Sequence, residues 1–491
     1  MAGVASDWTL TSFDGTAIRL HWFPVPTATS ANPLPTVLMG PGWGESGDTD
    51  VSTSSNDLFG ALGIGSLQKA GYNVLTWDPR GFGKSGGTVE IDSADFEGRD
   101  VEAMLDWIST QPGVLLDGPR DPRVGMAGGS YGGGIQLVTA AIDCRVDAIT
   151  PMIAWHSLTT SLFKADTPKN GWSGLLNAAT AGRMVDAHVA HAYAASTTGG
   201  VIDQADQDFF ASRGPGDLVD RINIPTLIVQ GTADNLFTLD EGITNYRILR
   251  DRNVPTAMLW FCGGHGVCLT NPGDPTRVTN AVMAWLNRYV KRDTSIDLGA
   301  RFGFVDQNGA AYTAADYPLA GGTPVTATGT GTLHFVADGG SGPAHPAAGN
   351  KDPLAGFASG ITPARATNAA NVTAEFATPA VVVGAPTLAL SYKGTTPAGS
   401  RPTRVFAQLV DDSTGIVLGN QITPIEITLD GATHQLSVPL EAVAFTGRAG
   451  ARVTLQLVAT TVAYAQPRLG GTVTFEKIDL TLPVAAGLAA R

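Results

Sequence analysis

The sequence predicts an α/β fold followed by an all-β sandwich, and three observations lead to this prediction. Apolar runs of strand length alternate with helical patterns in residues 1–154 and 219–295. The segment 155–218 replaces this alternation with helical patches. From residue 296 to 491, period-two runs such as 403–410 lie between turn-forming residues, which is typical of antiparallel sandwiches. We therefore expect an α/β unit with a helical insertion, and a second unit made of strands.

A glycine-rich motif, Gly-Gly-Ser-Tyr-Gly, occupies residues 128–132. It follows the apolar run 123–127 and precedes the small-residue helical stretch 133–138. Strand, sharp turn and helix in this order form the nucleophile elbow of α/β-hydrolases, where a strained turn exposes a serine. Because serine alone is a weak nucleophile, other loops must supply a base, an acid and oxyanion donors. The motif predicts that Ser130 is the nucleophile of a serine hydrolase.

Two later loops supply candidates for the acid and the base. Asp234 follows the apolar strand predicted at 225–230, and His265 follows the next one at 256–261. An aspartate in such a place commonly caps a helix, and a histidine in a glycine-rich loop is commonly solvated. The order Ser, Asp, His, with each residue after a strand, instead favours a catalytic triad. Asp240 is the reserve acid, six residues deeper in the following helix.

The loop after the early strand 35–39 is the candidate source of an oxyanion donor. Residues 40–46, Gly-Pro-Gly-Trp-Gly-Glu-Ser, stand where α/β-hydrolases place one such donor. We expect the backbone N–H of Gly42 or Trp43 to be that donor, because glycines let the backbone approach a substrate oxygen. The backbone N–H of Tyr131, next to the nucleophile, is the expected second donor.

Two residues after the strand predicted at 147–153 are candidates for the substrate pocket. Trp155 and His156 stand before the helical insertion. His156 precedes any plausible acid-bearing strand, so we do not assign it as the base. We expect Trp155 to line the pocket, and His156 to line it or to cap a helix.

Three features together resemble the Xaa-Pro dipeptidyl-peptidase and cocaine esterase family. They are Gly-Gly-Ser-Tyr-Gly-Gly around Ser130, the loop Asp-Pro-Arg-Gly-Phe-Gly-Lys-Ser at 78–85, and the order of Asp234 and His265. The resemblance covers nearly the whole chain. It implies an α/β-hydrolase domain, a helical cap inserted after the strand that follows the nucleophile, and a C-terminal sandwich of jelly-roll type.

One residue of that family has no counterpart here. The resemblance implies a tyrosine hydroxyl that binds the oxyanion from the loop after the early strand, and residues 40–46 contain no tyrosine. The backbone N–H of Gly42 or Trp43, or the indole N–H of Trp43, would take its place. We favour the backbone.

Cys262 and Cys268 flank His265 in the loop Cys-Gly-Gly-His-Gly-Val-Cys. A disulfide there would hold the base rigidly and would imply an oxidising compartment. Two free thiols and a zinc site are the alternatives, although zinc would need a fourth ligand and would block the base. We expect no metal and no cofactor. Cys144, after the nucleophile helix, is expected to be a buried apolar residue.

The net charge and the hydropathy of the chain limit the kinds of partner that we expect the protein to bind. A net charge of −13 and the absence of basic runs argue against nucleic acid as a partner, and no apolar stretch is long enough to span a membrane. The N-terminus lacks the basic region and apolar core of a signal peptide, which predicts a cytoplasmic protein as written, or a secreted one if the chain is a processed form. A small ester or a short peptide is the expected substrate, and homo-oligomerisation is left open.

The predicted reaction is acyl transfer to water through an acyl-enzyme on Ser130. Carboxylic esters are favoured because their leaving groups are better than those of amides. Xaa-Pro dipeptidyl-peptidase activity is the alternative, but no sequence feature places carboxylates to capture a free α-amino group. A catalytically decayed binding protein is the remote alternative, and the complete set Ser130, Asp234 and His265 argues against it.

Overall fold

The computed structural model describes residues 4–52, 62–344, 359–397, 403–465 and 469–490. The strands in these ranges are β1 Ser6–Thr11, β2 Ala17–Phe23, β3 Thr36–Met39, β4 Asn73–Trp77, β5 Leu116–Gly118, β6 Asp121–Pro122, β7 Val124–Gly129, β8 Val146–Met152, β9 Thr226–Gly231, β10 Thr256–Phe261, β11 Phe302–Val305, β12 Ala311–Ala314, β13 Val325–His334, β14 Ala369–Glu375, β15 Ala380–Gly384, β16 Thr387–Thr395, β17 Thr403–Asp411, β18 Thr423–Ile427, β19 His434–Pro439, β20 Val443–Gly447, β21 Arg452–Val458, β22 Thr472–Leu482 and β23 Ala489–Ala490.

The α-helices in the same ranges are α1 Ile64–Lys69, α2 Glu97–Ser109, α3 Tyr131–Ile142, α4 Leu158–Leu162, α5 Asn170–Ala179, α6 Ala187–Gly199, α7 Gln204–Ala211, α8 Leu239–Asp251 and α9 Arg277–Tyr289. Short 3₁₀ helices cover Lys164–Asp166, Gly216–Arg221, Ser359–Ile361 and Leu418–Asn420. None of the helices that the structure describes is long and apolar enough to cross a membrane.

The first part of the chain forms one large mixed sheet with the strand order β1-β2-β4-β3-β7-β8-β9-β10-β11-β12-β23. The strands from β4 to β11 in this order run parallel, and the outer pairs are antiparallel. Side chains of α2, α3 and α8 pack on one face and those of α1 and α9 on the other. Covered faces explain why these strands are continuous apolar runs. The α/β class predicted from the sequence is confirmed.

A helical cap lies between β8 and β9, where the sequence predicts an insertion. Two of its helices begin with side-chain caps: the Asp186 carboxylate accepts the N–H of His188 at the start of α6, and that of Asp203 accepts the N–H of Asp206 in α7. Gly200 ends α6 in the left-handed region, with φ of 64°. The cap packs on an apolar cluster that includes Trp43, Tyr131 and Trp155 from the α/β part.

The C-terminal part contains two four-stranded antiparallel sheets, β13-β22-β16-β19 and β14-β21-β17-β18. Buried and exposed residues alternate along strands such as β14, which is how one face of each sheet reaches a shared apolar core. The predicted all-β region of antiparallel strands is confirmed.

The sandwich strands begin later than the sequence boundary at residue 296. Strands β11, β12 and β23 belong to the large sheet, and the first sandwich strand is β13. All four residues of β11 are buried, and the strand pairs in parallel with β10. A run of four apolar residues carries no alternation that could assign it to either part.

A buried lysine joins the cap to both parts. Lys169 is 2% exposed, and its Nζ donates a hydrogen bond to the carbonyl oxygen of Leu236 at 2.9 Å. The ring centroid of Tyr464, from the C-terminal part, lies 5.8 Å from the same Nζ. Burial lowers the pKa of Lys169 from 10.5 to about 8. The charged form is therefore less favourable in the folded chain than in the unfolded chain.

This lysine makes stability depend on pH. Between pH 8 and 10.5 the unfolded chain binds more protons at Lys169 than the folded chain, so stability rises with pH in that window. We expect the free energy of unfolding of wild type to rise by about 3 kcal/mol relative to that of Lys169→Met between neutral and strongly basic pH. Urea unfolding at both pH values measures it. Lys84→Met, at an exposed lysine, is the matched control, and its free energy of unfolding should differ from that of wild type by the same amount at both pH values. An equal change with pH in both variants would contradict the lowered pKa of Lys169.

Candidate active site

Ser130 lies on a strained turn between β7 and α3. Its φ and ψ are 55° and −117°, which side chains rarely adopt. The turn also packs tightly: a Cβ atom on Gly132 would lie 2.1 Å from the carbonyl oxygen of Gly40, and one on Gly128 would lie 2.7 Å from it. The glycines around Ser130 are therefore required by contact with the loop after β3, and the geometry is that of a nucleophile elbow.

Asp234 and His265 lie on the loops after β9 and β10, at the same edge of the sheet as Ser130. His265 Nε2 is 2.7 Å from Ser130 Oγ, and His265 Nδ1 is 2.7 Å from Asp234 Oδ2. A carboxylate can only accept, so Nδ1 carries the proton and Nε2 is left to accept from the serine hydroxyl. The three side chains are 0% to 7% exposed. The arrangement can transfer a proton from the hydroxyl to the imidazole.

The carboxylate and the imidazole are both held from several sides. Asp234 Oδ1 accepts the backbone N–H groups of Leu236 and Phe237 at 3.0 and 2.8 Å. The ring of Phe237 packs edge to face against the imidazole, with 5.1 Å between the ring centroids. Trp172 from the cap packs in the same way, with 5.7 Å between the centroids. Such packing limits rotation of His265 about its side-chain bonds.

The loop that carries His265 is closed by a disulfide between Cys262 and Cys268. Gly263 and Gly264 inside it have φ of 153° and 122°, and a Cβ atom on Gly264 would lie 2.5 Å from the Asp234 side chain. The loop of His265 is therefore in close contact with Asp234. Cys144 is exposed, and not buried as the sequence suggested, because it follows the end of α3 at the surface.

Opening this disulfide is expected to slow the reaction. In a Cys262→Ala/Cys268→Ala double variant the loop of His265 gains freedom, and we expect kcat for an aryl ester to fall about tenfold while KM changes little. Steady-state kinetics measures both constants. Cys144→Ala is the matched control and should keep the wild-type kcat. Full kcat in the double variant would show that the disulfide does not hold the base in place.

Two of the four N–H groups considered as oxyanion donors already donate hydrogen bonds within the protein. The N–H of Gly42 donates to Glu45 Oε2 at 3.1 Å, and the indole N–H of Trp43 donates to the carbonyl oxygen of Leu176 in the cap at 3.0 Å. Both groups are thus occupied, which corrects the expectation that either serves as a donor. The backbone N–H of Trp43 has no acceptor among the described residues. The N–H of Tyr131 begins α3, so no intrahelical acceptor exists for it.

Buried acidic groups that the sequence analysis missed support the elbow from behind. The Tyr131 hydroxyl accepts the N–H of Asp92 at 3.3 Å and donates to Glu97 Oε1 at 3.4 Å. Burial raises the pKa of Asp92 well above its usual value and that of Glu97 to about 7. Glu97 contacts Tyr131 with its carboxylate, and Asp92 does so with its backbone N–H. The acidic stretch 90–97 was the one sequence signal for them.

A cavity opens at Ser130 under the cap. Its apolar lining includes Leu158, Leu162, Leu176, Val189, Leu236 and Phe237. The polar residues in the lining are neutral: Ser130, Tyr131, Ser173, Asn177, Tyr193 and Ser196. Among the described residues, no acidic or basic side chain lines this cavity. The cavity can therefore hold an apolar group beside Ser130, with few polar contacts to orient it.

The two pocket candidates from the sequence have different places. Trp155 lines the cavity and is 2% exposed. His156 does not line it: His156 Nδ1 is 2.8 Å from Asn245 Oδ1, and its backbone N–H donates to Glu241 Oε2 at 2.8 Å. Both partners belong to α8, so α8 holds His156 and the lining of the cavity does not include it. The expectation that His156 lines the pocket is corrected in this way.

Comparisons with known proteins agree with this fold. The model of the X-Pro dipeptidyl-peptidase (S15 family) matches residues 14–266. A CocE/NonD family hydrolase from Staphylococcus aureus is 12% identical with a TM-score of 0.69, over 98% of this chain and 93% of its own. An aminopeptidase from a marine sediment Thaumarchaeota archaeon is 12% identical with a TM-score of 0.68, and an α-amino acid ester hydrolase is 12% identical with a TM-score of 0.71; each match covers 98% of this chain and 96% of the other. No curated protein matches by sequence.

Fold and elbow define the class as an α/β-hydrolase with a C-terminal sandwich, and the solved structures of low identity share that fold. The family model covers more than half of the 491 residues. The chain belongs to the X-Pro dipeptidyl-peptidase (S15) family of hydrolases. The resemblance found in the sequence is thereby confirmed.

Proposed function

We propose that the protein is a serine hydrolase that cleaves carboxylic esters of apolar acids or alcohols. The observation that supports this most is the neutral, largely apolar lining of the cavity at Ser130. A substrate with a free ammonium group would have to lose its hydration there without gaining a carboxylate, which costs several kcal/mol. An apolar ester meets no such penalty.

In the proposed mechanism Ser130 Oγ attacks the ester carbonyl carbon while its proton passes to His265 Nε2, 2.7 Å away. Asp234 accepts the opposite ring N–H and stabilises the imidazolium. The carbonyl oxygen becomes negatively charged, and the backbone N–H groups of Trp43 and Tyr131 are the proposed donors to it.

The tetrahedral intermediate then collapses. The C–O bond to the alcohol breaks, and the imidazolium of His265 gives its proton to the leaving oxygen. A water molecule next attacks the acyl-enzyme, and His265 takes one of its protons. Collapse of the second intermediate releases the carboxylic acid and restores the Ser130 hydroxyl. Atoms balance as ester plus water giving acid plus alcohol.

Xaa-Pro dipeptidyl-peptidase activity is the second candidate because of the family to which the chain belongs. The names of two structural neighbours, an aminopeptidase and an α-amino acid ester hydrolase, denote substrates with an amino group. Leu236 and Phe237, next to the proposed acid, present apolar side chains to the cavity instead. The lining therefore favours the ester.

A side-by-side assay separates the two candidates. We expect turnover of an aryl ester of butyrate and no comparable cleavage of a free-amine Xaa-Pro anilide by the same preparation. A fluorophosphonate probe counts the active Ser130 sites, so both rates can be expressed per active site. Anilide cleavage at a rate near that of the ester would reject the ester assignment in favour of the peptidase.

A further inference from the structure

A loop of the C-terminal sandwich reaches the two loops that carry the proposed acid and base. It is the 3₁₀ turn Leu418–Asn420 with the next residue, Gln421, between β17 and β18. Asn420 and Gln421 are 2% and 5% exposed, so both side chains are buried at the contact between the sandwich and the α/β part. Each donates one hydrogen bond to the backbone of a triad loop.

Gln421 holds the loop of the acid. Its Nε2 donates to the backbone carbonyl oxygen of Asp234 at 2.7 Å. The carboxylate of the same residue is held by the N–H groups of Leu236 and Phe237. Both the main chain and the side chain of Asp234 are therefore held by hydrogen bonds. Gln421 supplies the one that comes from the sandwich.

Asn420 holds the loop of the base. Its Nδ2 donates to the carbonyl oxygen of Val267 at 2.7 Å, two residues after His265. Asn420 has φ of 55°, in the left-handed region that asparagine tolerates better than most residues. The backbone conformation and the side-chain contact thus both suit asparagine at this position.

The loop itself is anchored so that these two contacts keep their places. The N–H of Gly419 donates to Gln307 Oε1 at 2.7 Å. Gly419 has φ of 61°, and a Cβ atom there would lie 2.6 Å from the carbonyl oxygen of Thr232, in the loop of the acid. The close approach requires glycine, and it brings the sandwich against the acid loop.

We propose that Asn420 and Gln421 are positioning residues that fix the acid Asp234 relative to the base His265. Adjacent side chains of one loop hold the main chains of two loops, and the 2.7 Å contact between Nδ1 and Oδ2 lies between those loops. The sandwich would then take a direct part in arranging the triad. This inference rests on the proposed function of Ser130, Asp234 and His265.

Two variants test the proposal separately. Gln421→Met keeps the length of the side chain and removes the donor, and Asn420→Gly removes the amide and retains the left-handed backbone. For each, we expect kcat for an aryl ester to fall about tenfold with KM nearly unchanged, because a small displacement of acid from base slows proton transfer without altering the apolar cavity. Either variant can be interpreted if the other fails to fold.

The pH profile gives a readout that a loss of stability alone would not move. A weaker contact with Asp234 stabilises the imidazolium of His265 less, and this imidazolium forms in the chemical step. The dependence of kcat/KM on pH should therefore differ from that of wild type in both variants.

Gln408→Met is the matched control, because Gln408 is a buried glutamine of the same sandwich, 1% exposed, whose Nε2 donates to the carbonyl oxygen of Ala364. It should lower the melting temperature and leave kcat and the pH profile as in wild type. Equal kcat and pH profiles in Gln421→Met, Asn420→Gly and the control would overturn the proposal. Absence of both esterase activity and fluorophosphonate labelling at Ser130 in the wild type would instead reject the proposed function.

Discussion

Replacing Ser130 by alanine is expected to abolish ester hydrolysis, with kcat falling by about a factor of 10⁶. In the proposed mechanism the Oγ atom forms the acyl-enzyme, and it lies 2.7 Å from His265 Nε2. Initial rates on an aryl ester measure the loss. Labelling by a fluorophosphonate probe should disappear in the same variant, because the probe forms its bond to that oxygen.

Ser341→Ala is the matched control for this prediction. Ser341 is also buried, at 1% exposure, but it lies in the C-terminal part, where its hydroxyl donates to Gln408 Oε1. Its loss should lower stability and leave the rate unchanged. Residual turnover in Ser130→Ala above about one part in a hundred of the wild-type rate would point to a different nucleophile.

Replacing Asp234 by asparagine is expected to lower kcat by about a factor of 10⁴. The side-chain amide would present either its NH₂ group to His265 Nδ1, which already carries a proton, or a neutral oxygen that stabilises imidazolium less than a carboxylate does. The imidazole then takes the wrong tautomer or loses basicity. Single-turnover rates of acylation, compared with wild type, measure the effect on the chemical step.

Asp240→Asn is the matched control, since Asp240 was the reserve acid in the sequence. Its carboxylate lies 3.6 Å from the ammonium group of Lys164 in the cap, whereas Asp234 contacts the imidazole. We expect a small effect on kcat from this change. A larger loss in Asp240→Asn than in Asp234→Asn would reverse the assignment of the acid.

Parts of the site that depend on local sequence could be predicted. Ser130, Asp234 and His265 each stand shortly after a strand of the large sheet, and the structure brings the three side chains within hydrogen-bond distance. Parallel strands place their carboxyl ends at one edge, so the order of strand and loop in the chain carries spatial information.

Contacts distant in the chain left no signal in the sequence. Gln421 is 187 residues from its partner Asp234, and Asn420 is 153 residues from Val267. Trp172, which packs on the imidazole, reaches it through the folding of the cap onto the sheet. No periodicity or motif marks such residues, because their partners are chosen by tertiary packing.

Local competition explains the errors near the oxyanion site. Gly42 has the backbone freedom expected of a donor, but the carboxylate of Glu45 turns back three residues and accepts its N–H. The indole of Trp43 is likewise taken by the cap at Leu176. Each of these two N–H groups has an acceptor nearby in the folded chain. The sequence pattern does not show which acceptor pairs with which N–H group.

The most direct test of the central claim compares two esters that differ in one group. A nitrophenyl ester of butyrate and the same ester of 2-aminobutyrate share size and leaving group, and only the second carries an ammonium group into the cavity. We expect kcat/KM to be at least about 100-fold higher for butyrate, because the described lining offers no carboxylate to the ammonium group. Equal values, or a preference for the amino ester, would contradict the proposal that this hydrolase acts on apolar esters.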